Sequence, residues 1–142
     1  MPTSAERYAV DTSVAVAALD SAHAAHHVCR RAVQSRHPGL AGHAAFETLS
    51  VLTRMPGQLS IDASAASDII SRVFPVVHWL GSEASAKLLS RLGVVGITGG
   101  AIYDALVGEA ARIHGCVLLT RDMRARRTYD LLGVEHEVLG LD

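Results

Sequence analysis

Short apolar runs alternate with helix-period stretches along the chain. Tyr8-Ala9-Val10 reads as a strand ending at Asp11, and Thr12 to Leu19 as a short helix. Asp20 or Ser21 is placed to cap a second helix running to about Arg36, which His37-Pro38-Gly39 stops. Leu40-Ala41-Gly42 is a weak strand, and a helix from about Ala44 to Arg54 ends at Pro56-Gly57. Asp62 caps the next helix, whose apolar side carries Ile69, Ile70 and Val73, and Pro75 to Leu80 reads as a third strand. Ser82 caps a helix bearing Leu88, Leu89 and Leu92 that Gly93 is placed to terminate. Gly99-Gly100 introduces a helix to about His114, ended by Gly115. Cys116 to Thr120 is the clearest strand, Met123 to Leu132 is helical up to Gly133, and Val134 to Leu139 is a last edge strand.

Strands separated by helices pair in parallel through right-handed crossovers, which makes the expected class α/β. The short continuous apolar strands suit a sheet covered on both faces. The 142 residues suffice for one domain with its own core and are too few for two ordinary ones, so residues 1–142 read as a single domain.

Composition narrows the class further. With 49% hydrophobic and 19% charged residues, the chain is not of disordered type. The opening MPTSAERYAVD has no long apolar core, which argues against a signal peptide. No apolar run reaches the roughly 18 residues a spanning helix needs, so a soluble cytoplasmic protein without membrane contact is expected. Cys29 and Cys116 form no CxxC pair and suggest no disulfide framework; Cys116 reads as a small core residue. The formal net charge of −1 does not announce a nucleic-acid partner. Lys87 is the only lysine; the arginine bias suits phosphate contacts, but a compositional habit is the better reading.

Ligand sites in open parallel sheets gather at the carboxyl ends of strands. Asp11 directly follows the first strand, and Asp122 follows the Cys116–Thr120 strand by two residues. Either alone is equally a cap or loop residue. On the wheel of the long helix, Ile102, Tyr103, Leu106, Val107, Ala110 and Ile113 form an apolar stripe, with Asp104 off it beside Gly108 and Ala111. Small neighbours leave a carboxylate room for a ligand, although a solvated face explains Asp104 as well. Glu47 points away from Ala45, Leu49 and Leu52 and by pattern alone is a solvated glutamate. Arg121, Arg124, Arg126 and Arg127 surround Asp122; Arg124 and Arg127, at i, i+3 on the following helix, can hold phosphates or form a solvated face. His23 and His27 have a metal-ligand spacing on a helix, but no third ligand is near and a solvated face is the better reading.

Taken in order, Asp11-Thr12-Ser13, Glu47, Tyr103-Asp104 and Thr120-Arg121-Asp122 resemble the signature of PIN-domain nucleases, and the length matches the single-domain VapC toxins of bacterial toxin–antitoxin pairs. The resemblance covers nearly the whole chain. It implies a three-layer sandwich with a central, mostly parallel sheet of four to five strands flanked by helices, and the Asp11 and Asp122 strand ends side by side. It also implies an endoribonuclease that cleaves RNA with Asp11, Glu47, Asp104 and Asp122. Clustered carboxylates repel, and oxygen ligands without histidine or thiolate suit Mg²⁺, or Mn²⁺. Asp11 and Asp122 are the expected direct ligands, with Glu47 and Asp104 holding metal-bound water. Thr12 and Ser13 would orient a carboxylate or phosphate, and Thr120 would support Asp122.

As a family implication, the partners are a cognate antitoxin and a second copy in a homodimer, with the apolar residues of the second and fourth helices as candidate contact surfaces. Alternatives are a PIN nuclease of RNA processing, an aspartate-nucleophile phosphotransferase, and a non-catalytic α/β binding module. The phosphotransferase reading lacks a well-placed lysine, and Ser13 stands where a second aspartate would be wanted.

Overall fold

The computed structural model describes residues 7–55 and 61–140. Strands β1 (Arg7–Val10), β2 (Gly39–Leu40), β3 (Cys116–Thr120) and β4 (His136–Val138) form one parallel sheet in the order β2-β1-β3-β4. Seven helices among the described residues flank it: α1 (Thr12–Leu19), α2 (His26–Arg36), α3 (Ala44–Thr53), α4 (Ala63–Val73), α5 (Ser82–Val95), α6 (Ala101–Ile113) and α7 (Arg126–Leu132). This is the expected α/β sandwich. Ala9, Val10, Leu118 and Leu119, on the two central strands, are fully buried, which is why these strands read as unbroken apolar runs. Cys29 and Cys116 are buried free thiols. No helix among the described residues is long and apolar enough to cross a membrane.

The chain departs from its sequence pattern where local polar bonds or packing outweigh periodicity. The helix expected from Asp20 begins only at His26. Asp20 Oδ1 accepts from Ala22 N at 3.0 Å and His23 Nδ1 from Ala25 N at 3.0 Å, so two side chains hold turns here. His23 therefore precedes the helix that carries His27, and the two do not share a helical face.

Pro75 to Leu80 is not a strand but a single bridge, Val77 to Leu40. Leu40 N donates to Val76 O at 3.0 Å and His78 N to Leu40 O at 2.8 Å, which uses both main-chain groups of the last residue of the two-residue β2.

Gly81, not Ser82, occupies the cap of α5, and Gly93 lies within the helix. Termination falls to Gly96, whose φ of 79° is the left-handed position that glycine takes without strain. α7 starts at Arg126 rather than Met123, because Asp122 folds residues 122–125 into a turn: its Oδ1 accepts from Arg124 N and its carbonyl from Ala125 N. The last strand is confined to His136–Val138, at the sheet edge. The stop expected at Pro56-Gly57 lies outside the described residues; α3 is helical to Thr53.

Candidate active site

The first central strand ends where the second brings its own end alongside. β1 and β3 pair from Arg7–Cys116 to Val10–Leu119, and Asp11 N continues the ladder by donating to Leu119 O at 3.1 Å. Asp11 is also the N-cap of α1, its Oδ1 accepting from Val14 N at 3.2 Å. The capping and site readings of this residue thus coincide.

Asp11 is only 4% exposed, and its carboxylate collects four donors. Oδ1 accepts from Val14 N and from Ser13 Oγ at 2.5 Å; Oδ2 accepts from the Thr120 hydroxyl and from Tyr129 Oη at 3.0 Å. Four donors fill the lone-pair sites of a carboxylate. Burial drives its pKa up, and the Ser13, Thr120 and Tyr129 hydroxyls with the Val14 amide pull back down.

The same hydroxyls tie the neighbouring loop in place. Ser13 Oγ accepts from Arg121 N at 2.8 Å, and Thr120 Oγ1 accepts from Asp122 N at 3.0 Å. Ser13 and Thr120 therefore each bridge Asp11 to the chain that carries Asp122. Arg121 sends its guanidinium to Leu139 O at 2.7 Å and is a structural cation. Arg124 lies in the turn before α7, so its expected helical pairing with Arg127 does not form. Its side chain is 93% exposed and stands 3.6 Å from Asp122 Oδ1. Arg127 is exposed on α7.

Asp104, on the first turn of α6, joins the group electrostatically. Burial, then the charges of Asp122, Glu47 and Asp11, push its carboxyl up to about 6 against a partial pull from Arg124. Among the described residues it accepts no hydrogen bond. Glu47, on the first turn of α3, is raised by burial and by Asp11, and lowered by His43 and Thr12. The Thr12 hydroxyl faces Glu47 closely enough to act on it, yet it is buried and outside good hydrogen-bond geometry to any described group. Asp122, Glu47 and Asp11 are thus all within electrostatic reach of Asp104. A fifth, Glu109, is buried farther along α6 and is taken up by Arg112, at 2.6 and 3.0 Å.

The expected apolar stripe of α6 is only in part its buried face: Val107 and Ala110 are buried, and Ile102 and Leu106 pack against the core. Tyr103 and Ile113 are about half exposed, while Ala105, Gly108 and Ala111 are buried. The reason is Tyr129. A Cβ on Gly108 would lie 2.9 Å from its ring, so the smallest residue makes room for one of the largest buried side chains. Gly108, a turn from Asp104, does not leave open space; it seats the ring whose hydroxyl holds Asp11. Sequence reasoning missed Tyr129. The one signal was a glycine in mid-helix, a position that costs helix stability and asks for a packing reason.

A PIN-domain family model matches residues 8–131. This chain belongs to the PIN-domain family. It is 43% identical over 126 residues to Ribonuclease VapC27 of Mycobacterium tuberculosis, covering 89% of this chain and 92% of that protein. It is 41% identical over 133 residues to Ribonuclease VapC40 of the same species, covering 92% and 98%. Among solved structures, that of VapBC2 from Rickettsia felis bound to a DNA fragment from their promoter superposes with a TM-score of 0.64 at 12% identity, covering 92% of this chain and 97% of the other. That similarity concerns the fold. The VapC-type PIN resemblance read from the acids and their order therefore holds.

Proposed function

We propose that this PIN-domain protein is a divalent-metal-dependent endoribonuclease, the toxin of a toxin–antitoxin pair, that cleaves RNA with Asp11, Glu47, Asp104 and Asp122. The observation that carries the reading is that Ser13 and Thr120 each bond both Asp11 and the loop of Asp122, with Asp104 within reach of their charge. Three other carboxylates act on a half-buried acid that has no hydrogen-bond donor of its own among the described residues. The curated relatives named as ribonucleases, similar over most of the chain, supply the substrate class.

The donors suit a hard cation: carboxylates, with a buried unpartnered hydroxyl, Thr12 Oγ1, at the edge of the group. Among the described residues no three acidic, histidine or cysteine side chains form a ready-made metal cage. Mg²⁺ or Mn²⁺ takes one or two direct carboxylates and keeps several waters. Bound there, such an ion supplies Lewis acidity toward a phosphodiester and acidifies water.

The protein's own groups have separable tasks. Asp11 is held in one orientation by Ser13, Thr120, Tyr129 and the Val14 amide, so direct ligation by it displaces a donor. Asp104 and Asp122 carry the oxygens less occupied by the protein, which adds Asp104 to the expected pair, Asp11 and Asp122, as residues that would hold the ion. Glu47, with Thr12 beside it, orients water. Arg124 and Arg127, exposed near Asp122, meet flanking phosphates. A cognate antitoxin blocks the acidic site, and the working unit is a homodimer in the cytoplasm.

The deciding experiment incubates wild type and Asp11→Asn with RNA in EDTA, Mg²⁺ or Mn²⁺. Cleavage only by wild type and only with metal is expected. Cleavage that survives EDTA, or an Asp11→Asn protein of full activity, rejects the reading.

A further inference from the structure

The chain has six Phe, Trp and Tyr residues. Phe74 and Tyr129 are buried, but Phe46, Trp79 and Tyr103 are 59%, 50% and 54% exposed. These three do not stand apart. Tyr103 stacks on His43, with centroids 5.5 Å apart and planes inclined at 22°. His43 meets Phe46 at 6.3 Å, and Phe46 meets Trp79 at 5.6 Å. Half of the chain's aromatic residues therefore lie in one exposed path of rings, drawn from α3, α6 and the segment between α4 and α5.

One end of the path is at the acids. Tyr103 immediately precedes Asp104, and His43 lies one turn ahead of Glu47 and lowers its pKa. The other end is held firmly. The Trp79 segment is bonded to β2 through Leu40, and a Cβ on Gly39 would come within 2.6 Å of His78 Nε2. Gly42, at φ 49°, is packed so closely that a Cβ there would meet Ala110 Cβ at 3.0 Å and His78 O at 3.2 Å. These two glycines let the Trp79 segment lie directly against the start of α3, so the rings are in position before any ligand arrives.

We propose that Tyr103, His43, Phe46 and Trp79 form a stacking path for unpaired bases, which leads a single-stranded segment of RNA to the acids. The inference rests on the ribonuclease reading above and adds where, and by what contact, the strand is held. Exposed ring faces stack bases of any sequence, and each stacked base contributes enough to matter for affinity. Single-stranded segments are where bases are free to do this. A row of exposed ring faces leading to the acids is what a substrate strand needs, and a peptide reaching the same acids would leave quenching indifferent to whether the strand carries bases. The path makes unpaired RNA the preferred substrate over a continuous duplex, whose bases are already stacked on one another.

Trp79 is the only tryptophan, so its fluorescence reports on the path directly. Wild type in EDTA is titrated with a short oligoadenylate and with an abasic ribose-phosphate strand of equal length. Saturable quenching by the oligoadenylate alone is expected. Phe46→Ala should weaken oligoadenylate binding about tenfold while Phe46→Tyr retains it. In Mg²⁺, Trp79→Ala should raise KM for a single-stranded substrate with kcat little changed, and Trp79→Phe should restore it. Circular dichroism and sedimentation of each variant accompany these measurements.

Equal quenching by the two strands, or unchanged RNA affinity of a folded Phe46→Ala protein, overturns the proposal. So does a fall from dimer to monomer with RNA affinity intact, which makes the path a contact between copies. Wild type that cleaves RNA without base-dependent quenching loses the path and keeps the nuclease. Wild type that neither cleaves nor binds RNA loses both.

Discussion

The phenol of Tyr129 donates to Asp11 Oδ2 at 3.0 Å across 118 positions of sequence, from a ring seated on Gly108 of α6. One side chain thus couples the packing of α6 and α7 to the most buried acid of the site. Tyr129→Phe keeps the ring and removes the donor. A hydrogen bond to a charged group contributes about 1.5–3 kcal/mol, so urea denaturation should show a loss of that order. RNA cleavage should fall while the fold persists. A variant with wild-type stability and activity would show that Thr120 and Ser13 hold Asp11 without help.

Gly108→Ala adds a methyl where no atom has room. The neighbours at 2.9–3.3 Å are the Tyr129 ring and Val134, both buried, so the ring must shift. Overpacking of this kind costs about 1–3 kcal/mol. Activity should drop as well, although the substitution touches no acid. Gly93→Ala, where nothing lies within 4 Å of the new methyl, is the control and should be neutral or slightly stabilising.

Asp104 makes the stability of the metal-free protein depend on pH. Its folded pKa, about 6, lies above the ordinary 3.8, so between those values the native state binds more protons than the unfolded state. This group therefore favours folding more strongly as pH falls from above 6 toward 4, and opposes folding above pH 6. Thermal melts in EDTA should show wild type gaining stability from pH 7.5 to pH 5, with Asp104→Asn gaining less. Asp11 is raised as well, so the variant keeps part of the slope. Identical pH profiles would remove Asp104 from the cluster.

Binding of a cation to converging acids should stabilise the fold. At tenfold over its dissociation constant, Mg²⁺ should contribute about 1.4 kcal/mol. For a domain of this size that is a rise of roughly 3–5 °C in Tm. Asp122→Asn should respond less. Equal Mg²⁺ responses in wild type and Asp122→Asn would mean that Asp122 holds no metal.

Arg124 projects into solvent beside Asp122, and Arg127 is exposed on α7. If each meets a phosphate, replacing either with alanine should lower the slope of log affinity against log salt by about 0.7 for a single strand. Unchanged slopes would assign both to the solvated surface.

The sequence by itself determined the order of the helices and of the four strands, though it added a strand at Pro75–Leu80 that is a single bridge, and it placed Asp11 and Asp122 at strand ends. These depend on local periodicity, and parallel pairing of neighbouring strands then brings their carboxyl ends together without further specification. Asp104 and Glu47 were legible only through the family pattern, because a polar residue on a helix looks the same whether it faces solvent or other acids. Tertiary structure alone decided that burial of α6 extends to Ala105, Gly108 and Ala111. Hydrophobicity favoured a stripe that includes Tyr103 and Ile113, both about half exposed, but packing is a matter of matched volume, and the bulky Tyr129 ring required Gly108. Tertiary structure also decided that Asp11 receives donors from Thr120 and Tyr129, 109 and 118 residues away. It joined rings from three separate segments into one path beside the acids. Such contacts between distant segments leave no period in the chain, and they exist only once the sheet has set where each helix begins.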